Sequence, residues 1–509
     1  MKGRSRPFLA WACVAAATVA APGHPVAAAR PPNVVVIMAD DLGWGDVACN
    51  GATAVATPNV DRLAREGRRF TSGYASASTC TPTRYSFLTG EYAFRRKGTG
   101  IAAPNATAII PTGTPTAASV LRDAGYATAI VGKWHLGLGE PGKAPDWNGD
   151  LSPGPLDVGF DHCFILPTTN DRVPQVFVED HRVRGLDPAD PLWVGDAKPA
   201  PDFPDGVSGR SGLVMDWSHG HNQSVHNGIG RIGFYTGGVA ARFRDEELAD
   251  TWAREAVRWI EAHAAGPFFL FLASHDLHVP RVPHPRFRGA TTMGPRGDCI
   301  VEFDWTVGQV VAALERLNIT KDTLVIVCSD NGPVLDDGYK DGAVEKLGDH
   351  RPAGPFRGGK GTVWEGGTRT PFVVWGPGRV APGVTDAIVS TIDLGRSIAA
   401  LAGATPPPGA FPDAADVSGA LVGTADAKGR DALVQQDNGS GRLGYRSGTW
   451  KLVRVPKGRE RGGYGGETGA AGDSLYDLDA DPGETTDLRQ RHPDVVARLS
   501  AGLDAVVRP

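Results

Sequence analysis

The sequence predicts an α/β protein, a large mostly parallel sheet sandwiched by helices, with a smaller C-terminal α+β subdomain. Three observations carry the prediction. Short apolar runs rich in β-branched residues alternate with amphipathic helical stretches along most of the chain, the pattern of parallel strands joined by helical crossovers. A Pro/Gly-rich stretch at 402–419 separates that region from a shorter one of different character. At 509 residues, 41% of them hydrophobic, the chain exceeds what one core usually organises.

In chain order, "NVVVIMADD" (33–41) is a strand ending in two aspartates, and "TPNVDRLAREGRRF" (57–70) reads as a helix with Thr57 at its N-cap and Pro58 in its first turn. "STCTPTRYSFLTG" (78–90) reads as a polar loop around Cys80. "ATAIVGKWH" (127–135) is a second strand. The region 140–245 is rich in Gly, Pro, Asp and Trp, lacks long periodic runs, and reads as substrate loops. A helix (250–266), a strand (267–278), a helix (301–319), a strand (322–332) and the run "TPFVVWG" (370–376) follow. The larger unit is placed at 30–420 and the C-terminal one at 421–509. In the latter, 445–455 reads as a strand pair around Gly448, 474–488 as a short strand and turns, and 494–507 as a closing helix. The stretch 458–473 reads as a mobile surface loop.

The first 29 residues combine a basic start, an apolar run and a small-residue end, the pattern of a secretory signal peptide cleaved after Ala29. Pro22, Gly23 and Pro25 break the run, and it is too short to span a bilayer, so the chain is expected to be secreted or periplasmic. Lys and Arg number 52 against 57 Asp and Glu, for a formal charge of −5. That excludes a basic field for nucleic acid; any anion must be met by a few cations in a pocket. Five cysteines follow the leader, at 49, 80, 163, 299 and 328. Export permits disulfides without requiring them. Cys328, inside "TLVIVCSD", reads as a small core residue, whereas Cys80 sits among hydroxyl side chains.

Four strands break into ionisable residues at their carboxyl ends: Asp40-Asp41, Lys133 with His135, His275 with His278, and Asp330-Asn331. Ligands of open α/β sheets bind outside those ends, so the segments are expected to converge on one crevice. Asp40, Asp41, Asp330 and Asn331 offer only oxygen, which suits calcium or magnesium rather than zinc or copper. Adjacent buried aspartates repel unless a cation neutralises them, and calcium is favoured over magnesium. "PAGPFRGGKGT" (352–362) is not a nucleotide-binding P-loop: Gly361 stands where Ser or Thr is required. Lys360 remains a cation in a Gly-rich loop. His219, His221 and His226 lie in a Gly/Asn-rich loop without a diagnostic metal spacing, and a substrate-facing loop is favoured over a zinc site.

"CTPTR" (80–84) matches C-x-P-x-R, and "LTG" (88–90) extends it. "GKWHLG" (132–137), the His-x-Pro at 278–280, "SDNGP" (329–333) and "GGKGTVWEGGTRTP" (358–371) follow in order. This ordered set, spanning about Asn33 to Leu488, resembles the type I sulfatases of the alkaline phosphatase-like superfamily, in the style of arylsulfatase A and N-acetylgalactosamine-6-sulfatase members.

The resemblance implies that a formylglycine-generating enzyme oxidises Cys80 to Cα-formylglycine, with Pro82 and Arg84 part of the motif it reads. The hydrated aldehyde would be the nucleophile, and Cys80 in that form would join Asp40, Asp41, Asp330 and Asn331 at the metal. Arg84 would stabilise the hydrate, Lys133 and Lys360 would neutralise sulfate oxygens, His278 would serve the leaving oxygen, and His135 would take the proton that lets sulfate depart. Thr169, Asp171 and Arg172, in "PTTNDR" (167–172), are candidate substrate contacts; His275 stands open between site and core. The implied function is hydrolysis of sulfate monoesters of carbohydrates, with aryl sulfates as artificial substrates and a 6-sulfate on a galacto-configured sugar as the favoured target. A phosphonate monoester or phosphodiester hydrolase, and a non-catalytic glycan-binding protein, are the alternatives.

Overall fold

Asn33–Ala39 (β1) is buried along its whole length. Its side chains alternate between two cores: Val34, Val36 and Met38 enter one, Val35, Ile37 and Ala39 the other. A strand apolar on both faces belongs in the middle of a covered sheet, and both neighbours of β1 run parallel to it. This computed structural model describes residues 30–439, 441–456 and 472–508, together with Met1 and Gly3. The signal-peptide reading, and the mobile-loop reading except for its last two residues, lie outside the described residues.

The remaining strands of the main sheet are Arg68–Phe70 (β2), Ala127–Lys133 (β3), His162–Leu166 (β4), Val178–Glu179 (β5), Arg182–Val183 (β6), Phe268–Ala273 (β7), Thr323–Ser329 (β8), Val373–Trp375 (β9) and Gly383–Thr385 (β10). Their order is β10-β2-β9-β8-β1-β7-β3-β4-β5-β6. The central block β8-β1-β7-β3-β4 is parallel throughout, and the antiparallel pairings lie toward the edges. The two long amphipathic helices, Leu248–His263 and Pro295–Arg316, cover the face that holds Val35 and Ile37.

Several boundaries differ from the expectations. The helix expected over 57–70 spans Pro58–Glu66 (α1) and stops at Gly67, after which the chain turns into β2. A Cβ at Gly67 would meet the Val374 carbonyl at 2.3 Å, so the close approach of the neighbouring strand sets the stop. The second long helix begins at Pro295, six residues earlier than expected, with proline in its first turn. The loop-rich 140–245 region contributes β4 to the parallel block.

The polar loop expected around Cys80 is instead a helix, Cys80–Thr89 (α2), and every residue of it is buried. A helix enclosed on all sides carries no one-sided apolar stripe, which hid it in the sequence. Its three threonine hydroxyls all find carbonyl acceptors: Thr81 Oγ1 donates to His135 O at 3.1 Å, Thr83 Oγ1 to Ala77 O at 2.9 Å and Thr89 Oγ1 to Tyr85 O at 2.8 Å. Gly90, at φ +64, ends it in the left-handed conformation that favours glycine.

The C-terminal subdomain is a four-stranded antiparallel sheet of Ala432–Gln436 (β11), Leu443–Ser447 (β12), Trp450–Arg454 (β13) and Ser474–Asp477 (β14), in that order. Strand β11 went unread in the sequence. The closing helix Pro493–Val507 seats Leu499 against Leu452 and Leu475. Cys49, Cys80, Cys163, Cys299 and Cys328 are all unpaired, and Cys328 lies in the core.

Candidate active site

Strand register alone assembles the cluster. Ala39 pairs with Ser329, Met38 with Ala273, and Ala273 with Gly132. The next residues along, Asp40, Asp330, Ser274 and Lys133, therefore emerge side by side at the carboxyl edge. The edge is clipped by backbone bonds from Asp40 N–H to Asp276 O at 2.7 Å and from Asp330 N–H to Ala39 O at 3.2 Å. Asp41 and His135 both hold positive φ, 62° and 53°. Such backbone is uncommon outside glycine and concentrates at functional sites.

Asp40, Asp41, Asp330, Asn331, Arg84 and Lys133 are completely or almost completely buried. Lys133 Nζ pairs with Asp40 Oδ2, Lys360 Nζ lies 2.9 Å from Asp41 Oδ2, and Arg84 Nη2 lies 2.7 Å from Asp330 Oδ2. The basic residues thus lie inside the carboxylate cluster itself. Burial pushes the Asp40 carboxyl up to about 8, with Asp330 adding to the rise and Lys133 opposing it. Burial pulls the Lys360 ammonium down, but Asp337 and Asp41 outweigh it and hold the group well above the usual lysine range.

The donor set fits a hard divalent cation. Among the described residues, Asp40 Oδ1 and Asn331 Oδ1 are buried oxygens with no hydrogen-bond partner. Orphaned acceptors of this kind are costly unless something positive meets them. Asn331 Nδ2 donates to Asp41 Oδ1 at 2.6 Å, which turns its Oδ1 away from that carboxylate. Oxygens of Asp40 and Asp41 and one ring nitrogen of His278 converge within 4.8 Å.

Cys80 stands at the first turn of α2, with Sγ 3.2 Å from His135 Nδ1. The other ring nitrogen, Nε2, is 3.2 Å from Ala102 O. A carbonyl can only accept, so Nε2 carries the proton and Nδ1 presents its lone pair to residue 80. Burial, then Lys133, keeps this imidazole neutral by holding it well below the usual histidine range. Arg84, one turn along α2 from Cys80, also donates Nη1 to Lys133 O at 3.0 Å.

His278 donates Nδ1–H to Val279 O at 2.8 Å, leaving Nε2 as its available nitrogen. Burial, followed by Lys360 and Lys133, holds it neutral as well. Asp171 Oδ1 lies 3.9 Å from the His278 ring. Asp171 also takes Arg172 Nη1 at 2.9 Å and the Thr169 hydroxyl, so the three residues of "PTTNDR" form one group beside His278. Burial alone would raise Asp171, but Arg172, His278 and His221 together hold it well below the usual carboxylate range.

His275 turns away: its Nδ1 accepts from Trp252 Nε1 at 3.2 Å, in the helix-covered core. The three histidines of the Gly/Asn-rich loop part company. His219 is exposed, His226 packs against Phe243, and His221 reaches Asp171 Oδ2 at 2.9 Å. Among the described residues they form no metal-ligating group. Sequence reasoning missed the placement of His221 against Asp171, and missed Asp337, whose Oδ2 is 2.8 Å from Lys360 Nζ. The signal for Asp337 is the acidic pair in "SDNGPVLDDG", six residues beyond Asn331.

This edge, with its carboxylates, buried cations and C-x-P-x-R helix, has the architecture of a sulfatase. The sequence model of the sulfatase family matches residues 32–404, and the chain belongs to that family. It is 45% identical over 480 residues to the N-acetylgalactosamine-6-O-sulfatase of Bacteroides thetaiotaomicron, covering 94% of this chain and 93% of that protein. It is 32% identical to human arylsulfatase A, over 91% of this chain and 84% of that one. A solved Bacteroides thetaiotaomicron structure, described in connection with the metabolism of multiple glycosaminoglycans, superposes with a TM-score of 0.91 at 44% identity, covering 94% and 99% of the two chains. A Pseudoalteromonas sulfatase shares the fold with a TM-score of 0.67 at 23% identity, over 94% of this chain and 90% of that one. The protein is a sulfuric ester hydrolase.

Proposed function

We propose that this sulfatase is an exported enzyme that removes sulfate from carbohydrates, with a 6-sulfate on a galacto-configured sugar as the favoured target. The observation that carries the catalytic reading is the approach of His135 Nδ1 to Cys80 Sγ at 3.2 Å, at the buried head of α2. The sugar preference is supported by the similarity to an N-acetylgalactosamine-6-O-sulfatase over nearly the whole chain. The Thr169–Asp171–Arg172–His221 group beside His278 supports it further, since it offers a charged acceptor and donors to sugar hydroxyls.

Asp40, Asp41, Asp330 and Asn331 would hold the calcium ion, with magnesium the alternative, and Cys80 in its modified form would complete the set. When bound, that ion would polarise a sulfate oxygen and lower the pKa of a neighbouring hydroxyl. Oxidation of Cys80 to formylglycine by a generating enzyme would supply a hydrated aldehyde, with one hydroxyl to attack sulfur and a second whose deprotonation frees the sulfate.

The chain's own residues do the rest. His135 Nδ1, neutral and turned to residue 80, removes a proton there. Lys133 and Lys360 hold positive charge where the sulfate oxygens gather, preorganised so that little reorganisation is needed at the transition state. Arg84 fixes Asp330 and residue 80 in one frame through its bonds to Asp330 and the Lys133 carbonyl. His278 faces the leaving oxygen: its Nε2 takes up a proton from solvent as the anionic substrate offsets the nearby lysines, and gives it to that oxygen as the S–O bond breaks. A panel of sulfated mono- and oligosaccharides, assayed with matured enzyme, tests the reading. Preferential release from galacto-configured 6-sulfates is expected, and faster cleavage of a phosphodiester than of a sulfate of the same phenol would overturn it.

A further inference from the structure

Lys451 lies on β13 of the C-terminal sheet and is completely buried. Its Nζ donates to Val363 O at 2.9 Å and to Glu365 Oε1 at 3.1 Å, and lies 2.9 Å from Glu484 Oε1. An ammonium has three N–H donors, and here three oxygens surround it. The two carboxylates are themselves tied down. Glu365 Oε2 accepts from Tyr74 OH at 2.6 Å, and Glu365 N–H donates to Glu484 Oε2 at 2.7 Å. Arg357 Nη1 donates to Glu484 O at 3.1 Å.

What this network grips is the segment that carries Lys360. Residues 356–363 form no helix or strand, so their path depends on bonds to other parts of the fold. Gly361 N–H donates to Ser78 O at 2.7 Å, and Asn438 N–H donates to Gly361 O at 3.1 Å. Ser78, two residues before Cys80, donates its own N–H to Gln436 O on β11 at 2.9 Å. Beyond Lys360, Val363 packs with Val453, and the Trp364 ring meets Tyr476 of β14 at 5.7 Å. The C-terminal sheet therefore touches both the lead-in to Cys80 and the loop of Lys360.

We propose that Lys451 is a positioning residue for the sulfatase reaction: through Val363 and Glu365 it fixes the loop that presents Lys360 to the carboxylate cluster. The proposal rests on the reading of Lys360 given above. Packing alone does not call for an ammonium here, because an apolar side chain of similar size fills buried space without the desolvation cost. An ammonium with directed donors does something packing cannot, which is to hold a particular carbonyl of an irregular loop at a set place.

The test is a double-mutant cycle on matured, metal-loaded enzyme with 4-nitrophenyl sulfate. Lys360→Ala is expected to lower kcat by about 10²–10³-fold. Lys451→Met is expected to lower it by about 10²-fold, the cost of a displaced catalytic group, with KM little changed. The double variant is expected to be no worse than Lys360→Ala alone. Losses that multiply overturn the proposal while leaving the reading of Lys360 intact; full activity in Lys360→Ala overturns both. Leu452→Ala, one residue along and packed against Leu475 and Leu499, separates positioning from stability. It should lower Tm while keeping kcat, and an equal loss of activity at equal loss of Tm would make Lys451 merely structural. Should Lys451→Met fail to fold, Glu484→Gln carries the same cycle: non-additivity with Lys360→Ala supports the proposal and additivity overturns it.

Discussion

His221 Nε2 sits 2.9 Å from Asp171 Oδ2, and the Asp171 carboxylate in turn lies 3.9 Å from the His278 ring. A loop of the 140–245 region is thereby tied to the histidine proposed to serve the leaving oxygen. If the Asp171 group reads sugar hydroxyls, His221→Ala should lower kcat/KM for a sugar 6-sulfate by about 10–100-fold, the range for a lost bond to a charged group. Turnover of 4-nitrophenyl sulfate, which has no sugar to read, should be nearly unchanged. Equal losses on both substrates in steady-state kinetics would remove His221 from substrate recognition.

The orphaned oxygens of Asp40 and Asn331 lead to a second expectation. Elemental analysis should find one calcium or magnesium ion per chain. EDTA should lower Tm, because a ligand bound only by the folded state stabilises it, and added calcium should restore it. Asp330→Ala should abolish both ion and turnover. Zinc recovered with the protein, and lost on substitution of His219 or His221, would contradict the oxygen-donor reading.

How far these groups were readable depends on what kind of signal placed them. Asp40, Lys133 and Asp330 were legible because strand ends in a parallel sheet converge by register, and register follows from apolar runs that are visible in sequence. The helix beginning at Cys80 was not, since full enclosure erases amphipathic periodicity. Nor were the helix stop at Gly67 and the strand His162–Leu166, which depend on neighbours distant in sequence. Asp337 and His221 sit on irregular loops, where no periodicity says which way a side chain turns.

Residue 80 itself supplies a direct measurement. Mass spectrometry of the peptide spanning Cys80, from active enzyme, should show aldehyde in place of thiol. Cys80→Ser should keep the fold, because the site is already lined with hydroxyls such as Thr81 and Thr83, and yet lose turnover. Full activity from protein carrying only unmodified cysteine would end the formylglycine reading.

His226 gives a pH expectation independent of catalysis. It accepts at Nδ1 from Tyr235 OH at 2.9 Å and donates Nε2–H to Phe243 O at 2.8 Å, so the neutral ring is satisfied at both nitrogens. Burial, then Arg231, brings its pKa down to about 3 from an ordinary 6.5. Between those values the unfolded chain binds a proton that the folded chain refuses, so stability falls as pH drops through the window. Above it both states are neutral and nothing is gained. The contribution to the slope is at most about 1.4 kcal/mol per pH unit. Denaturant melts from pH 7 to 4 should show a shallower slope in His226→Gln, and an unchanged slope would assign the dependence to other groups.

The roles proposed for the two site histidines divide the chemistry in a way kinetics can separate. His135 faces residue 80 and nothing about its geometry refers to the leaving group: Nδ1 meets Cys80 and Nε2 is held by Ala102 O. His278 lies beside Asp171, with Nδ1 fixed on Val279 O. Protonation of a leaving oxygen matters more when that oxygen is a sugar alkoxide than when it is a nitrophenolate. His278→Ala should therefore slow sugar sulfates by about 10²–10⁴-fold and 4-nitrophenyl sulfate far less, steepening the dependence of kcat/KM on leaving-group pKa. His135→Ala should bring kcat down to one common value for every substrate, with the sulfated enzyme accumulating, and leave the dependence of kcat/KM on leaving-group pKa unchanged. The measurement is a series of aryl and sugar sulfates of graded leaving-group pKa on both variants. A steepened dependence in His135→Ala, with a flat one in His278→Ala, would exchange the two roles.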